Sequence, residues 1–465
     1  MKKRIEHDLL GSKEIPNNAY YGIQTQRALE NFPITGYKPS KDLVQAIAMV
    51  KKAAAIANME LGQLDQEKAK AIVQASNEVL EGQYLDQFLV DVIQGGAGTS
   101  LNMNANEVIA NRAIEILGGE KGDYTVISPN SHVNMSQSTN DVIPSAVRIT
   151  VLNLVKNLLS ELKQLHDALI TKSQEFDDVI KMGRTHLQDA VPIRLGQEFA
   201  AYAETVTRDM DRITSASEAL KQINMGATAV GTCVNAKIEY IDSVTAHLRE
   251  FSCLPLCSAE NMVDATQNAD TLAAFSGNLR ILALNLSKIA NDLRLMASGP
   301  RTGLNEINLP PVQPGSSIMP GKVNPVMAEV VNQVCFQVQG NDHTIALATG
   351  AGQFELNVME PVLVYNVIQS VEILTNVVRV FRERCIVGIT ANRERCQNMV
   401  DNSVGIITPL VSYVGYEGAT QLAKEVMSSN KTVRQLVSEK GIFTEEEIEK
   451  ILSPKNMTQP TSSKN

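Results

Sequence analysis

The sequence predicts an all-α protein built around an elongated bundle of long helices. Along several stretches, apolar residues recur three and four positions apart, which is the spacing that lines one face of a packed helix. The chain has 465 residues, more than one hydrophobic core usually serves, so two or three packed units are expected. Apolar residues make up 44% of the chain and charged residues 20%, which is typical of folded proteins.

Three domains are expected in chain order. Residues 1–139 are interrupted by Pro, Asn and Gly, and they predict a smaller, mainly helical N-terminal domain. Residues 140–394 carry the long apolar repeats and predict the central bundle. Residues 395–465 predict a small helical C-terminal domain, in which the last dozen residues, rich in Ser, Thr, Pro, Lys and Asn, are expected to form a mobile tail.

Four apolar seams predict the helices of the central bundle. A helix with one narrow apolar stripe must bury it against another helix, so these helices are expected to pack together. The third and longest seam ends just before Gly299-Pro300, a pair that commonly stops a helix. The seams are Val151, Leu154, Leu158, Leu162, Leu165 and Leu169; Phe199, Val206, Ile213 and Leu220; Leu272, Phe275, Leu279, Leu282, Leu286, Ile289, Leu293 and Met296; and Val364, Ile368, Val371, Leu374, Val378 and Phe381.

Charge and composition exclude several classes of function. The net charge is −9 and no Lys/Arg run is long enough to supply a basic patch, which argues against nucleic-acid binding. The charged amino terminus lacks the apolar stretch of an export signal, and polar residues interrupt every apolar helix, so no membrane span is expected. Six scattered cysteines without ligand spacing predict reduced thiols in a cytoplasmic protein, and no metal site.

One polar loop is especially distinctive. Residues 314–325 read PGSSIMPGKVNP, and the Gly-Lys pair does not form a nucleotide phosphate loop because the glycine spacing is wrong and Val323 replaces the required Ser or Thr. Asn324 followed by Pro325 is typical of an N-cap and the first turn of a helix, so a helix is expected to begin here with its free N–H groups facing the loop.

Three further polar loops stand out against the helical background. They read SQSTND at 136–141, GGAGTS at 95–100 and GRTHLQ at 183–188. The glycines at 95–98 do not complete a dinucleotide fingerprint. Hydroxyls, amides and free N–H groups at helix N-termini bind anions, so a set of such loops suits a dicarboxylate. Ordinary helix capping, and a structural role for His186, would explain any one of these loops taken singly.

The loop GSSIMPGKVNP at 315–325 resembles the signature of the aspartase/fumarase superfamily of lyases. The other three loops resemble the remaining active-site regions of that family in the same order, so the resemblance covers nearly the whole chain. Within the family, the Thr139 form of the 136–141 loop is similar to the aspartase branch, since fumarases usually carry Ser there. The segments GTS at 98–100 and ELNVMEP at 355–361 indicate the same branch. Ser131 departs from the Asp of many members, which puts a secondary anion site near His132 in doubt.

The resemblance implies a reaction and a set of residues. The expected reaction is the reversible elimination of ammonia from L-aspartate to give fumarate, through an aci-carboxylate whose charge needs hydrogen-bond donors. Ser316 is the implied general base, and Lys322 with a helix N-terminus the source of help in ionising it. The implied substrate ligands are Thr99, Ser138, Thr139 and the Ser317 backbone for the β-carboxylate, Thr185, Lys322 and Asn324 for the α-carboxylate, and Asn140 and His186 for the amino group.

The resemblance also implies a homotetramer, in which the long central helices form the core and each active site is drawn from several subunits. No organic cofactor or metal is expected for this chemistry. A class II fumarase-type hydratase, which would use almost the same residues on L-malate, is the nearest alternative. A non-catalytic helical scaffold is a second alternative, and it predicts lost site residues, whereas every expected one is present.

Overall fold

The computed structural model describes residues 2–429 and 431–460. Of the dozen residues predicted to form the tail, Pro454–Thr458 form a short helix, and residues 461–465 lie outside the described residues. The described part contains sixteen α-helices and eight short strands, which confirms the all-α fold class. The helices are α1 Ile23–Asn31, α2 Lys41–Glu60, α3 Gln66–Leu80, α4 Thr99–Ile116, α5 Thr139–Glu175, α6 Leu195–Glu218, α7 Ile238–Ser252, α8 Met262–Gln267, α9 Asp270–Met296, α10 Val326–Gly350, α11 Glu360–Arg384, α12 Arg393–Asn402, α13 Val411–Ser428, α14 Val433–Glu439, α15 Glu445–Ile451 and α16 Pro454–Thr458. The strands are β1 Lys3–Asp8, β2 Gly11–Pro16, β3 Ile180–Thr185, β4 Gln188–Arg194, β5 Gln222–Ile223, β6 Cys257–Ser258, β7 Ile307–Asn308 and β8 Thr390–Ala391.

The four predicted seams lie on α5, α6, α9 and α11, with the last residue of the second seam, Leu220, in the short turn after α6. All eight members of the α9 seam are at most 5% exposed, from Leu272 to Met296. The periodicity therefore predicted both the helix and the face that it buries.

The chain divides into two compact units, each assembled from three stretches of sequence. Unit 1 comprises Met1–Leu158, Asp211–Ile281 and Phe336–Leu374, and unit 2 comprises Leu159–Met210, Leu282–Cys335 and Thr375–Asn465. The three-domain organisation remains a prediction.

Unit 1 has a core made largely by α2, α3 and α4. Small alanines on α3, among them Ala69 and Ala75, pack with Ile109 and Ile114 of α4. Alanine lets helix axes approach closely and carries no helix penalty, so these alanine-rich sequences form closely packed helices. The core holds the C-terminal half of α4, the helix whose N-terminus carries part of the candidate site.

Four antiparallel or parallel strand pairs interrupt the helices, and the sequence did not predict them. In unit 1, β1 pairs antiparallel with β2, in the register Arg4 with Ile15. In unit 2, β3 pairs antiparallel with β4, with an irregularity between Met182 and Arg184. Ile180 and Met182 of β3 pack in one apolar cluster with residues of the C-terminal helices, including Val400.

Two helices are long and apolar enough to cross a membrane by length and composition alone. They are Thr139–Glu175 and Glu360–Gly388, the latter being α11 with the turn that follows it. Of their most apolar windows, 72% and 56% are buried inside the protein, as is usual for core helices.

Candidate active site

A polar pocket of about 920 Å³ opens in unit 1 beside the first turns of α4 and α5. Its lining includes Thr99, Ser138 and Thr139, three of the residues predicted to bind a carboxylate. All the residues that line it belong to unit 1. Hydroxyl groups at two helix N-termini therefore face one space, which is the arrangement that the sequence predicted for anion binding.

A glycine turn places Thr99 at the start of α4. Gly98 precedes the helix with φ 88°, in the left-handed region that side chains rarely adopt. A Cβ added there would lie 3.2 Å from Ile143, so the close approach also requires glycine. The Thr99 N–H donates to the Gly96 carbonyl at 2.9 Å, and the Thr99 side chain is left exposed at the pocket.

A hydrogen bond joins Ser138 to Asp141 across the first turn of α5. The Ser138 N–H donates to Asp141 Oδ1 at 2.9 Å, and the Asn140 N–H donates to Ser138 Oγ at 3.2 Å. The second carboxylate oxygen of Asp141 accepts from the N–H groups of Gly226 and Thr228 at 3.2 and 2.9 Å. Burial raises the pKa of Asp141 to about 7, while these backbone bonds oppose the shift.

Asn140 links the start of α5 to the segment after residue 226. Its amide nitrogen donates to the Ala229 carbonyl at 2.7 Å. The backbone carbonyl of Asn140 accepts from the Asn224 amide nitrogen at 2.9 Å. The amide donor is thus engaged within the protein, and an ammonium group would need the side-chain oxygen, which is the acceptor.

A buried lysine that sequence reasoning missed lies behind three of the amide side chains that line the pocket. Lys51 of α2 is completely buried, and its ammonium donates to the side-chain oxygens of Asn102, Asn134 and Gln137 at 2.7 to 2.9 Å. In the sequence, Lys51-Lys52 interrupts an alanine-rich helix and reads as a solvated pair. No signal in the sequence distinguished Lys51 from Lys52, because two adjacent residues can both lie on the polar face of an amphipathic helix.

Thr185 and His186 lie at the end of the β3–β4 hairpin in unit 2. His186 and Leu187 form its turn with φ 56° and 59°, the paired positive values of a tight hairpin. The hairpin is anchored by Glu306, which is fully buried and contacts Arg184 at 2.7 Å and Lys181 at 3.2 Å. Thr185 and His186 themselves are exposed.

The loop before α10 holds four predicted residues together in unit 2. The Gly315 N–H donates to the Lys322 carbonyl at 2.8 Å, and the Asn324 amide nitrogen donates to the Gly315 carbonyl at 2.6 Å. A Cβ on Gly315 would lie 2.5 Å from the Lys322 carbonyl oxygen, so only glycine allows this closure. Ser317 and Lys322 are exposed on the loop.

The expectation that Asn324 caps α10 is wrong. The helix begins at Val326, so Asn324 lies before it, and its amide closes the loop instead. The sequence pair Asn-Pro fits either position, because a proline is also tolerated just ahead of a helix.

The hydroxyl oxygen of Ser316 accepts two backbone hydrogen bonds within this loop. The donors are the N–H groups of Ile318 at 3.2 Å and Met319 at 3.0 Å. N–H donors aimed at an oxygen favour its negatively charged form. The predicted base thus has local stabilisation for an ionised hydroxyl that the sequence did not reveal.

The predicted residues therefore form three groups. Thr99, Ser138, Thr139 and Asn140 lie together in unit 1. The remaining residues lie in unit 2, where the hairpin carries Thr185 and His186 and the 315–325 loop carries Ser316, Ser317, Lys322 and Asn324. Across residues 2–429 and 431–460, no three His, Cys, Asp or Glu side chains form a cluster that could hold a metal.

Comparisons with known proteins identify the family of the chain. A family model described as "Lyase" matches residues 11–340, and one described as "Fumarase C C-terminus" matches residues 406–459. The chain is 60% identical over 457 residues, 98% of both chains, to an aspartate ammonia-lyase of a Bacillus species.

Solved structures are similar over the same extent. A fumarate lyase:delta crystallin from Brucella melitensis, bound to cobalt, matches with a TM-score of 0.96 and 49% identity, covering 99% of this chain and 100% of that one. A class II fumarase from Schistosoma mansoni matches with a TM-score of 0.93 and 35% identity, covering 97% and 98%. On the extent of these matches, the chain belongs to the aspartase/fumarase superfamily of lyases.

Proposed function

We propose that the protein is an aspartate ammonia-lyase, a carbon-nitrogen lyase that reversibly eliminates ammonia from L-aspartate to give fumarate. The observation that carries the proposal is the 60% identity, over 98% of both chains, to a protein of that name. The hydroxyl-lined pocket of unit 1 supports it, because the reaction requires donors for a carboxylate whose negative charge increases.

In the proposed mechanism, ionised Ser316 removes a proton from Cβ of L-aspartate. The electron pair of that C–H bond moves towards the β-carboxylate and gives an aci-carboxylate. The C–N bond then breaks, ammonia leaves with its bonding pair, and the carbon–carbon double bond of fumarate forms. The two N–H groups that donate to Ser316 Oγ support this role, since they favour the ionised hydroxyl.

The proposed substrate contacts form three sets, one for each charged group of L-aspartate. Thr99, Ser138, Thr139 and the Ser317 backbone hold the β-carboxylate, Thr185, Lys322 and Asn324 hold the α-carboxylate, and Asn140 and His186 hold the amino group. Binding both ends of the substrate fixes Cβ against the base, which lowers the entropic cost of proton transfer.

A spectrophotometric assay tests the function. Formation of fumarate is followed by its ultraviolet absorbance with L-aspartate or L-malate as substrate. Turnover of L-aspartate with little turnover of L-malate is expected. Equal or greater turnover of L-malate would identify a hydratase instead, the activity named for the Schistosoma mansoni relative.

We also propose that the protein is a cytoplasmic homotetramer whose active sites are shared between subunits. The three groups of site residues lie on distant segments, and α5 and α9 are long helices of 37 and 27 residues, suited to a common core. The proposed domains are residues 1–139, 140–394 and 395–465.

Subunit mixing tests the shared sites. Ser316→Ala and His186→Ala proteins, each of low activity, are unfolded together, refolded as a mixture and assayed. If sites are shared, some mixed tetramers contain sites with neither substitution, and activity rises well above that of either parent. Activity no higher than the parental average, in a sample shown to contain mixed oligomers, would contradict sharing.

A further inference from the structure

A charge that the mechanism above does not use lies behind the lining of the unit 1 pocket. Lys51 is 0% exposed, and its three hydrogen-bond partners are the side-chain oxygens of Asn102, Asn134 and Gln137. All three of these residues also line the pocket. The ammonium therefore lies directly beneath the surface that an anion would contact.

Backbone carbonyls determine which way two of these amides face. The Asn134 amide nitrogen donates to the Gln137 carbonyl at 3.1 Å. The Gln137 amide nitrogen donates to the carbonyls of Val133 and Met135, each at 3.0 Å. Since a backbone carbonyl only accepts, the nitrogens must point at these groups and the oxygens must point at Lys51.

The orientation of the third amide, that of Asn102, follows from that of Asn134. The Asn102 amide nitrogen lies 3.2 Å from Asn134 Oδ1 and 3.0 Å from Thr139 Oγ1. Because the Asn134 atom is an oxygen, the Asn102 atom facing it must be the N–H donor. The Asn102 oxygen consequently faces Lys51, at 2.7 Å.

Three acceptors around one amine require three N–H donors, which only the ammonium form possesses. Burial lowers the pKa of Lys51 to about 7, and the negative charge of Asp141 opposes that shift. An anion in the pocket would oppose it too, so binding of a carboxylate favours the ammonium. The direct hydrogen-bond partners of Lys51 are neutral amides, so its charge acts over a longer range, on the buried Asp141 carboxylate and on an anion in the pocket.

The same hydrogen-bond network determines which way the hydroxyl group of Thr139 donates. Its Oγ1 accepts from the Asn102 amide, so its own hydrogen is free to be donated elsewhere. Thr139 is one of the residues that line the pocket, and donation into the pocket is what a bound carboxylate requires.

We propose that Lys51 is a positioning residue that acts through Asn102 to aim the Thr139 hydroxyl at the β-carboxylate and supplies positive potential beneath it. This inference rests on the proposed function, because it assigns the unit 1 pocket to the β-carboxylate of L-aspartate. It predicts that Lys51 sets the preference for a negatively charged group at this end of the ligand.

Equilibrium binding tests the inference in the full-length protein. In a Ser316→Ala background, which is expected to bind substrate without turnover, calorimetry gives Kd for L-aspartate and for L-asparagine, whose amide replaces the β-carboxylate with a neutral group. Adding Lys51→Met is expected to weaken L-aspartate binding by about ten- to a hundredfold, the range of a charge-assisted bond. Binding of L-asparagine is expected to change by less than about threefold.

Lys172→Met is the matched control. Lys172 is also buried, but it donates to the Ile389 carbonyl at 2.9 Å and to Glu175 at 2.7 Å in unit 2. Lys172→Met is expected to lower the stability of the fold and to leave the ratio of Kd for L-aspartate to Kd for L-asparagine unchanged. Equal weakening of both ligands by Lys51→Met, or no weakening of L-aspartate binding, would overturn the proposal.

Lys51→Arg keeps the test decisive if Lys51→Met does not fold. Arginine retains the charge, but its planar fork cannot point at three amides as an ammonium does, so L-aspartate binding should weaken while the preference over L-asparagine persists. Loss of that preference with the charge retained would overturn the proposal. Ammonia-lyase activity of the unsubstituted protein is measured separately, so absence of that activity would count against the proposed function and not against the role of Lys51.

Discussion

At the scale of single residues, Ser316 is unusual because its hydroxyl oxygen is held by backbone N–H groups and not by a histidine. Ser316→Ala is expected to reduce turnover of L-aspartate at least about a thousandfold, since the base acts only in the transition state. Affinity for succinate, a dicarboxylate inhibitor, should change little. Steady-state kinetics and calorimetry measure the two effects, and a variant that retains more than about a tenth of normal turnover would exclude Ser316 as the base.

Glu360 is a buried carboxyl group that should make stability depend on pH. Burial raises its pKa from 4.5 to about 8, and the positive charge of Arg148 opposes the shift. The folded protein therefore keeps a proton that the unfolded chain releases near pH 4.5. The contribution of Glu360 to stability is complete below that pH and is lost as the pH rises through about 8.

Glu360→Gln mimics the protonated form, so this pH dependence should disappear in the variant. Relative to the unsubstituted protein, the Tm of Glu360→Gln should rise between pH 6 and pH 9, by about 1 °C per kcal/mol for a chain of this length. Scanning calorimetry at the two pH values measures this difference. A difference in Tm that does not change with pH would show that Glu360 is ionised in the folded protein throughout.

The residues of the site were predictable to different degrees. Thr139 and Ser316 belong to loops whose spacing identifies the family, so the sequence alone indicated them. Lys51 was not predictable, because its role depends on amides at 102, 134 and 137 that only the fold brings together. The two N–H donors to Ser316 are likewise a property of loop conformation, which the types of side chain do not encode.

At the scale of elements, the β3–β4 hairpin depends on one buried carboxylate. Glu306→Gln would leave Lys181 with Glu198 alone and Arg184 without its carboxylate partner. Breaking a buried ion pair costs about 3 to 5 kcal/mol, so a clear fall in Tm is expected. Because Thr185 and His186 lie on this hairpin, kcat/KM for L-aspartate should fall as well.

Glu198→Gln is the control for this prediction. Glu198 is partly exposed and contacts Lys181 at 2.9 Å, but Lys181 then keeps Glu306. A smaller fall in Tm is expected. Equal effects of the two substitutions would mean that Glu306 is not the anchor of the hairpin.

The helices were predictable from sequence and the hairpins were not. The α9 seam repeats over many turns, so its period is unambiguous. In contrast, β1 reads KRIEHD and has one buried residue, Glu6, so its side chains show no alternation between apolar and polar. Its pairing is fixed by tertiary contacts instead, since Glu6 accepts from the Ile23 N–H at 2.8 Å and from the Tyr124 hydroxyl at 3.0 Å.

At the scale of the whole molecule, α10 presents large apolar side chains that unit 1 does not cover. Phe336 and Leu347 are 62% and 64% exposed and lie eleven positions apart, which places them on one face of the helix about three turns apart. In the proposed tetramer, such a face would be covered by another subunit.

Replacing Phe336 and Leu347 together by Glu should dissociate the proposed tetramer and abolish activity while helicity persists. Light scattering gives the mass, and circular dichroism gives the helicity. Leu9→Glu is the matched control, since Leu9 is also an exposed apolar residue but lies in the β1–β2 turn. A double variant that remains tetrameric and active would remove this face from the interface.

The boundary between the two compact units falls inside α5, α6, α9, α10 and α11. Proteins of this size commonly melt domain by domain, because a flexible linker lets one domain unfold while its neighbour keeps its helices and strands. Here the two units are joined at these five places by continuous helices and not by linkers, and a helix unfolds cooperatively. Disorder that begins in one unit should therefore propagate along shared helices into the other. A single endotherm in scanning calorimetry is expected, and two resolved endotherms would show that the helices can melt from one end alone.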